Sequence, residues 1–152
     1  MSIRAVAGDH LTAQDVYAIW TIRDVVFALE QHAEDIDADG LDLRADTDHL
    51  GLADHAGITS YLRVFVGDDG TRHVGRVCTR RDRRGTGLSG RLVGEVSSLW
   101  GDSELVLNAQ AHLEGWYERF GYTRTGDNFD EAGIPHVPMS RPAGTTNDEG
   151  LQ

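Results

Sequence analysis

The sequence predicts one α/β domain, a mixed arrangement of β and α elements around a single sheet. Three observations lead there. The chain has 152 residues, enough for one genuine hydrophobic core. Short β-like runs are interleaved with segments of helical periodicity. The run Val74 to Thr79 also flows through a glycine-rich turn into a helix, whose Leu88, Leu92, Val96 and Leu99 recur at helical spacing.

Ser2 to Ala7 reads as a short first strand. Thr12 caps the first helix, and Asp15 at the third helical position completes a near capping box. Val16, Ile19, Trp20, Arg23 and Phe27 follow at 3.6-type spacing, so this helix faces a core and runs to about Gln31. Glu34 to Asp48 is acidic and loop-like. His49 to Asp54 and Gly57 to Gly67 are two strands turned by His55-Ala56-Gly57. Asp68-Asp69-Gly70 turns the chain again, Asp-Gly being a strong hairpin signal. After the Val74 to Thr79 strand, the glycine turn opens a helix over about Gly87 to Gly101. Glu104 to Gln110 is a strand, and His112 to Phe120 a short helix stopped by Gly121. Tyr122 to Thr125 and His136 to Arg141 close the sheet. Residues 1–141 then form the domain, and 142–152 read as a disordered tail.

Composition narrows the function. No stretch approaches the ~20 apolar residues of a membrane helix, and the N-terminus lacks a signal peptide's apolar region. Cys78 is the single cysteine, which rules out an internal disulfide and suits the cytoplasm. In its apolar strand Cys78 is a nucleophile or, far more often for such a thiol, a small buried side chain. All 14 basic residues are arginine, so Schiff-base chemistry is excluded. A net charge of −11 argues against nucleic acid and favours a cationic partner such as an amine.

Arg80, Arg81, Arg83 and Arg84 are the local exception to that acidity. They stand beside a strand–turn–helix, which offers unpaired backbone N–H groups and a positive helix end, chemistry for a phosphorylated cofactor. Gly85-x-Gly87-x-x-Gly90 spells a dinucleotide fingerprint. That fingerprint needs an acid at the end of the following strand, where this chain has Asn108 and Gln110 instead. Read otherwise, Arg84-Gly85-Thr86-Gly87 is a turn for a pyrophosphate joined to pantetheine, which fits the surroundings better. Asp35-x-Asp37-x-Asp39-Gly40 matches the first half of a calcium loop, but position 12 is Asp46 and no second helix follows. An acidic loop near the acceptor is therefore expected, with no metal; the histidines lack zinc spacing. Arg23, Arg63 and Arg76 lie inside apolar segments, where arginines pair with buried carboxylates.

Further segments complete a pattern. Arg23 to Gln31 reads R-x-x-V-F-x-x-E-Q, and Gly75-Arg76-Val77 precedes Arg84-Gly85. Ala109-Gln110-x-His112-Leu113 leads to Trp116-Tyr117 and Phe120-Gly121-Tyr122, and Glu131 to Met139 reads E-x-G-I-P-H-x-x-M. Over about residues 3 to 141 the chain resembles the GNAT superfamily of acetyl-coenzyme A-dependent N-acyltransferases, and most its ElaA-like branch. Two positions depart from the pattern. Asp82 stands where the superfamily turn carries Gln or Arg, leaving the phosphate grip to Arg83, Arg84 and the backbone. His32-Ala33-Glu34 replaces the branch's Cys-Pro-Tyr, which bears on the acceptor pocket.

The resemblance implies a mostly antiparallel sheet flanked by helices, with a splayed strand pair forming the acetyl-CoA cleft. Val77 and Thr79 would pair with pantetheine through the backbone. Gly85 and Gly87 would let the pyrophosphate approach, with N–H groups from Thr86, Leu88 and Ser89. Asn108 would hydrogen-bond pantetheine or a water. The resemblance places the family's general-acid tyrosine at Tyr117, whose phenol protonates the leaving thiolate. Tyr117 also flanks an apolar face of Leu113, Trp116 and Phe120, so a core aromatic is the alternative. His112 and His136 are rival bases, and Glu30 and Gln31 lie on the acceptor side. The implied reaction is direct attack by an amine of a small molecule or peptide, in a monomer or homodimer. The alternative is a non-catalytic coenzyme A-binding or sensing domain on the same scaffold.

Overall fold

The computed structural model describes residues 1–145. The first strand is β1 (Arg4–Ala7). Helix α1 (Ala13–Arg23) starts at a reciprocal capping box: the Asp15 N–H donates to Thr12 Oγ1 at 3.1 Å, and the Thr12 N–H to Asp15 Oδ2 at 2.9 Å. The helix does not stop at Arg23 but widens into a π-helical stretch, Asp24–Glu30. Its buried face is Ile19, Ile22, Arg23 and Val26, while Val16 and Trp20 face outward, Trp20 being 58 % exposed. The expected stripe was thus partly misassigned. Apolar residues lie nearly all round this helix, and contact with Tyr61 and Cys78 of the sheet selects which are covered.

Strands β2 (Thr47–Asp54), β3 (Gly57–Val66) and β4 (Arg72–Thr79) follow as an antiparallel meander. Helix α2 (Leu88–Trp100) leads to β5 (Leu105–Gln110), and the short α3 (Glu114–Glu118) to β6 (Thr123–Arg124). A hairpin of β7 (Phe129–Glu131) and β8 (Ile134–Arg141) ends the sheet. The strand order is β1-β2-β3-β4-β5-β8-β6, with β7 also on β8. Every pairing is antiparallel except β4 with β5. β7 was not foreseen: it is three exposed residues, turned by Ala132 (φ +53°) and Gly133 (φ +79°), without the Asn-Gly signal of such turns.

β3 is buried on both faces. Leu62 and Val64 enter the larger core, where Leu88, Leu92, Val93 and Val96 of α2 pack over Leu50, Leu105 and Leu107. Tyr61 joins Ile19, Ile22, Val26 and Cys78 under α1. Cys78 is buried there and its thiol is pushed up to about 12, chiefly by burial, so it is a core side chain. Beyond Arg141, the Gly144 N–H donates to the Gly101 carbonyl at 2.8 Å. The rest of the segment expected to be disordered, 146–152, lies outside the described residues.

Candidate active site

The functional geometry begins where two parallel strands part. β4 and β5 pair only at Arg72–Leu105, His73–Val106 and Val74–Leu107, yet both strands continue, to Thr79 and Gln110. A β-bulge opposite Leu62 turns β4, with Arg76 in left-handed conformation at φ +53°. The strands enclose a cleft of about 1120 Å³ with α1, the 33–41 loop, α3 and β8. Val77, Asn108, Tyr117, His136 and Gln31 all line it.

The glycine turn stands at the β4 side of this opening. Gly85 has φ +77° and Gly87 φ +82°, and a Cβ at either would meet nothing within 4 Å. Glycine is needed for the backbone conformation, and the surface above it is open. Gly87 caps α2 without a side-chain cap, so the N–H groups of Leu88 and Ser89 have no partner in the helix. The hydroxyls at this turn serve the scaffold. Ser89 Oγ lies 2.5 Å from Thr79 Oγ1, which is 2.9 Å from Ser60 Oγ, and Thr86 Oγ1 donates to the Arg83 carbonyl at 2.6 Å.

The arginines are less available than their exposure suggests. Arg83 pairs with Asp54 at 2.6 Å, and Arg80 pairs with both Asp54 and Asp82. Arg84 donates to the Thr79 carbonyl at 3.0 Å and forms an ion pair with Glu30. Gln110 donates to Gln31 at 2.9 Å. Glu30 and Gln31, at the end of the first helix, are therefore tied to the turn after β4 and to the end of β5. Arg81 of the cluster is the exception: it is exposed, and its side chain makes no hydrogen bond or ion pair among the described residues.

Tyr117 is 6 % exposed and packs against Trp116 and Tyr122, with ring centroids 4.9 and 6.2 Å away. Burial, and lesser effects of Tyr122 and Cys78, push its phenol well above the ordinary value, so it stays protonated at neutral pH. Tyr117 is thus both a core aromatic and a cleft residue. His112 is exposed and does not line the cleft. His136 is buried in the cleft wall, with Nδ1 2.7 Å from the Ile134 carbonyl and Nε2 3.4 Å from Glu131.

The acidic loop has a structural partner set. Asp37 pairs with Arg23 at 2.8 Å and Arg76 at 2.9 Å, and Asp42 with Arg23 at 2.6 Å and Arg63 at 2.8 Å. Asp39 pairs with Arg63 and Arg76. These arginines take Asp37 and Asp39, two of the carboxylates a calcium loop would use, and no group of three or more metal-ligating side chains forms among the described residues. Burial would raise the Asp39 carboxyl, but the Arg63 hydrogen bond and charge outweigh it and hold the group at about 2.

A sheet opened between two parallel strands beside a glycine turn and helix N-terminus defines the acyltransferase class whose pattern the sequence carries. A model of the acetyltransferase (GNAT) domain matches residues 22–142, and the chain belongs to that family. It is 39 % identical over 145 residues to the UPF0039 protein Rv2851c of Mycobacterium tuberculosis, covering 93 % of each chain. It is 32 % identical over 137 residues to Protein ElaA of Escherichia coli, covering 86 % of this chain and 90 % of the relative. The crystal structure of an acyl-CoA N-acyltransferase from Pseudomonas aeruginosa superimposes with a TM-score of 0.83 at 34 % identity, over 93 % of this chain and 99 % of that one. Escherichia coli ElaA superimposes with a TM-score of 0.81 at 29 % identity, over 92 % and 98 %. The expected fold, a mostly antiparallel sheet flanked by helices, is the one found. Among the described residues no helix is long and apolar enough to cross a membrane.

Proposed function

We propose that this protein is an acetyl-CoA-dependent N-acetyltransferase acting on a cationic amine carried by a small molecule or peptide. The observation that carries this is the parting of β4 and β5 beside an uncapped helix start, with a protonated phenol buried in the cleft wall. The donor fits the residues present. The exposed N–H groups after Gly87 and the open surface above Gly85 and Gly87 suit a pyrophosphate. Arg81 is available to it, and Arg84 becomes so by leaving Glu30. Beyond Val74 the β5-facing edge of β4 is unpaired, so Val77 and Thr79 can take an extended pantetheine as an added strand.

When bound, acyl-CoA supplies a thioester carbonyl activated toward amines. The Val77 N–H polarises that carbonyl. Tyr117 holds its proton until a thiolate departs and then donates it. The acceptor side favours a cation. Asp24 and Asp35 line the cleft without ion pairs among the described residues, whereas the lining arginines Arg23, Arg63 and Arg76 are all compensated. A thermal-shift titration with coenzyme A, followed by thiol release from acetyl-CoA with a panel of amines, tests the assignment. Stabilisation with amine-dependent release supports it. Stabilisation without turnover leaves a coenzyme A-binding domain.

A further inference from the structure

We infer that His136 and Glu131 form a two-acceptor seat for the acceptor's ammonium group, and that His136 Nε2 removes its proton. This deepens the N-acetyltransferase assignment and rests on it. The tautomer follows from elementary hydrogen bonding. Nδ1 of His136 lies 2.7 Å from the Ile134 carbonyl oxygen, which only accepts, so Nδ1 carries the hydrogen. In the neutral ring Nε2 is then a bare lone pair. It faces Glu131 Oε2 at 3.4 Å, a second acceptor. Two acceptors at this separation call for a shared donor, and an ammonium supplies three N–H donors and a positive charge.

The placement is fixed by the hairpin that sequence reasoning missed. The tight turn at Ala132 and Gly133 sets Glu131 opposite Ile134 and Phe129 opposite His136. The His136 ring rests on Phe129, with centroids 6.0 Å apart, and β5 sets neutral Gln110 opposite His136. Glu131 is further held by Asn108 Nδ2 at 3.5 Å. Glu131 is thus the charged group at the ring; Glu34 packs beyond it, against Gly133. His136, Glu131, Asn108 and Tyr117 line one cleft.

The step balances. The ammonium R–NH3+ gives one proton to Nε2, and Glu131 stabilises the imidazolium. The amine lone pair forms the N–C bond as the C–S bond breaks and its electrons leave on sulfur. Tyr117 protonates the thiolate and is reprotonated from solvent, which receives the second amine proton. The imidazolium proton then passes to solvent.

Two variants test this. His136→Gln can still donate an amide hydrogen to the Ile134 carbonyl but has no titrating nitrogen, and Glu131→Gln removes the charge beside the ring. Long-range nitrogen–proton NMR of the wild-type protein should show neutral His136 as the Nδ1–H tautomer. Glu131→Gln takes the negative charge from the seat, so the KM for the amine should rise while coenzyme A affinity holds. The kcat/KM for the amine should fall roughly 100- to 10,000-fold in His136→Gln, with coenzyme A affinity unchanged. An Nε2–H tautomer, an unchanged amine KM in Glu131→Gln, or near-wild-type kcat/KM in His136→Gln would overturn the inference. Failure of the wild-type protein to bind acetyl-CoA would instead overturn the acetyltransferase assignment, while the spectrum still reads the tautomer.

Discussion

Replacing Tyr117 by Phe separates its two roles, because the ring and the hydroxyl do different things. The ring packs edge-on against Trp116 at 4.9 Å and against Tyr122 at 6.2 Å, and Phe preserves both contacts. The hydroxyl makes no hydrogen bond among the described residues, so its removal strands no partner. Stability should therefore change by less than about 1 kcal/mol. Catalysis should respond on a different scale. A positioned general acid contributes roughly 100- to 10,000-fold, or about 2.7–5.4 kcal/mol of barrier. The loss should fall on kcat and not on coenzyme A affinity, because the proton matters as charge develops on sulfur. Saturation kinetics with a thiol-trapping dye, beside a urea melt, reads both quantities in one variant. Turnover within a fewfold of wild type would refute Tyr117 as the proton source. Normal kcat with a clear drop in stability would make it a core aromatic alone.

The other predictions concern the cofactor turn and the arginine–aspartate network. Gly87→Val should abolish coenzyme A binding by isothermal titration and, at φ +82°, also cost about 1–2 kcal/mol of stability in a urea melt. Asp42→Ala removes a shared partner from Arg23 and Arg63, which are 2 % and 3 % exposed. Both retain a second aspartate, so the cost in a urea melt should be about 2–3 kcal/mol, below that of breaking an isolated buried pair. Asp39 is depressed to about 2 in the folded chain, so its contribution is present above the unfolded value near 4 and is lost as pH falls from about 4 to 2. Acid titration by circular dichroism should show loosening in that window. Calcium should leave the melting temperature unchanged, because Arg23, Arg63 and Arg76 already pair with Asp37 and Asp39, the central carboxylates of the loop.

Local signals in the sequence survived well. The Thr12–Asp15 cap, the Asp69-Gly70 turn and the α2 stripe each depend on residues a few positions apart, and they appear in the structure, except that Leu99 of the expected stripe is exposed and Val93 is buried beside Leu92 and Val96 instead. What escaped was set by distant partners. Arg84 reads as a phosphate ligand beside its glycines, yet it pairs with Glu30, 54 positions away. Arg23 and Arg63 announced buried carboxylates, but nothing local says that these come from the loop that imitates a calcium site. The π-helical widening after Arg23 and the Ala-Gly hairpin turn have no strong residue code, so the outward face of α1 and strand β7 were missed. His112 and His136 were indistinguishable in sequence, and only the fold places one on the surface and the other in the cleft wall.

The central claim is that the parted strands hold an acyl-CoA whose acyl group passes to an amine. Release of free thiol from acetyl-CoA by the purified protein, measured with and without amines, tests it most directly. The account predicts saturable, amine-dependent release with a matching mass increase of 42 Da on the acceptor, about the mass one acetyl group adds in place of hydrogen. Absence of coenzyme A binding, or thiol release that ignores the amine and leaves every acceptor unmodified, would contradict it.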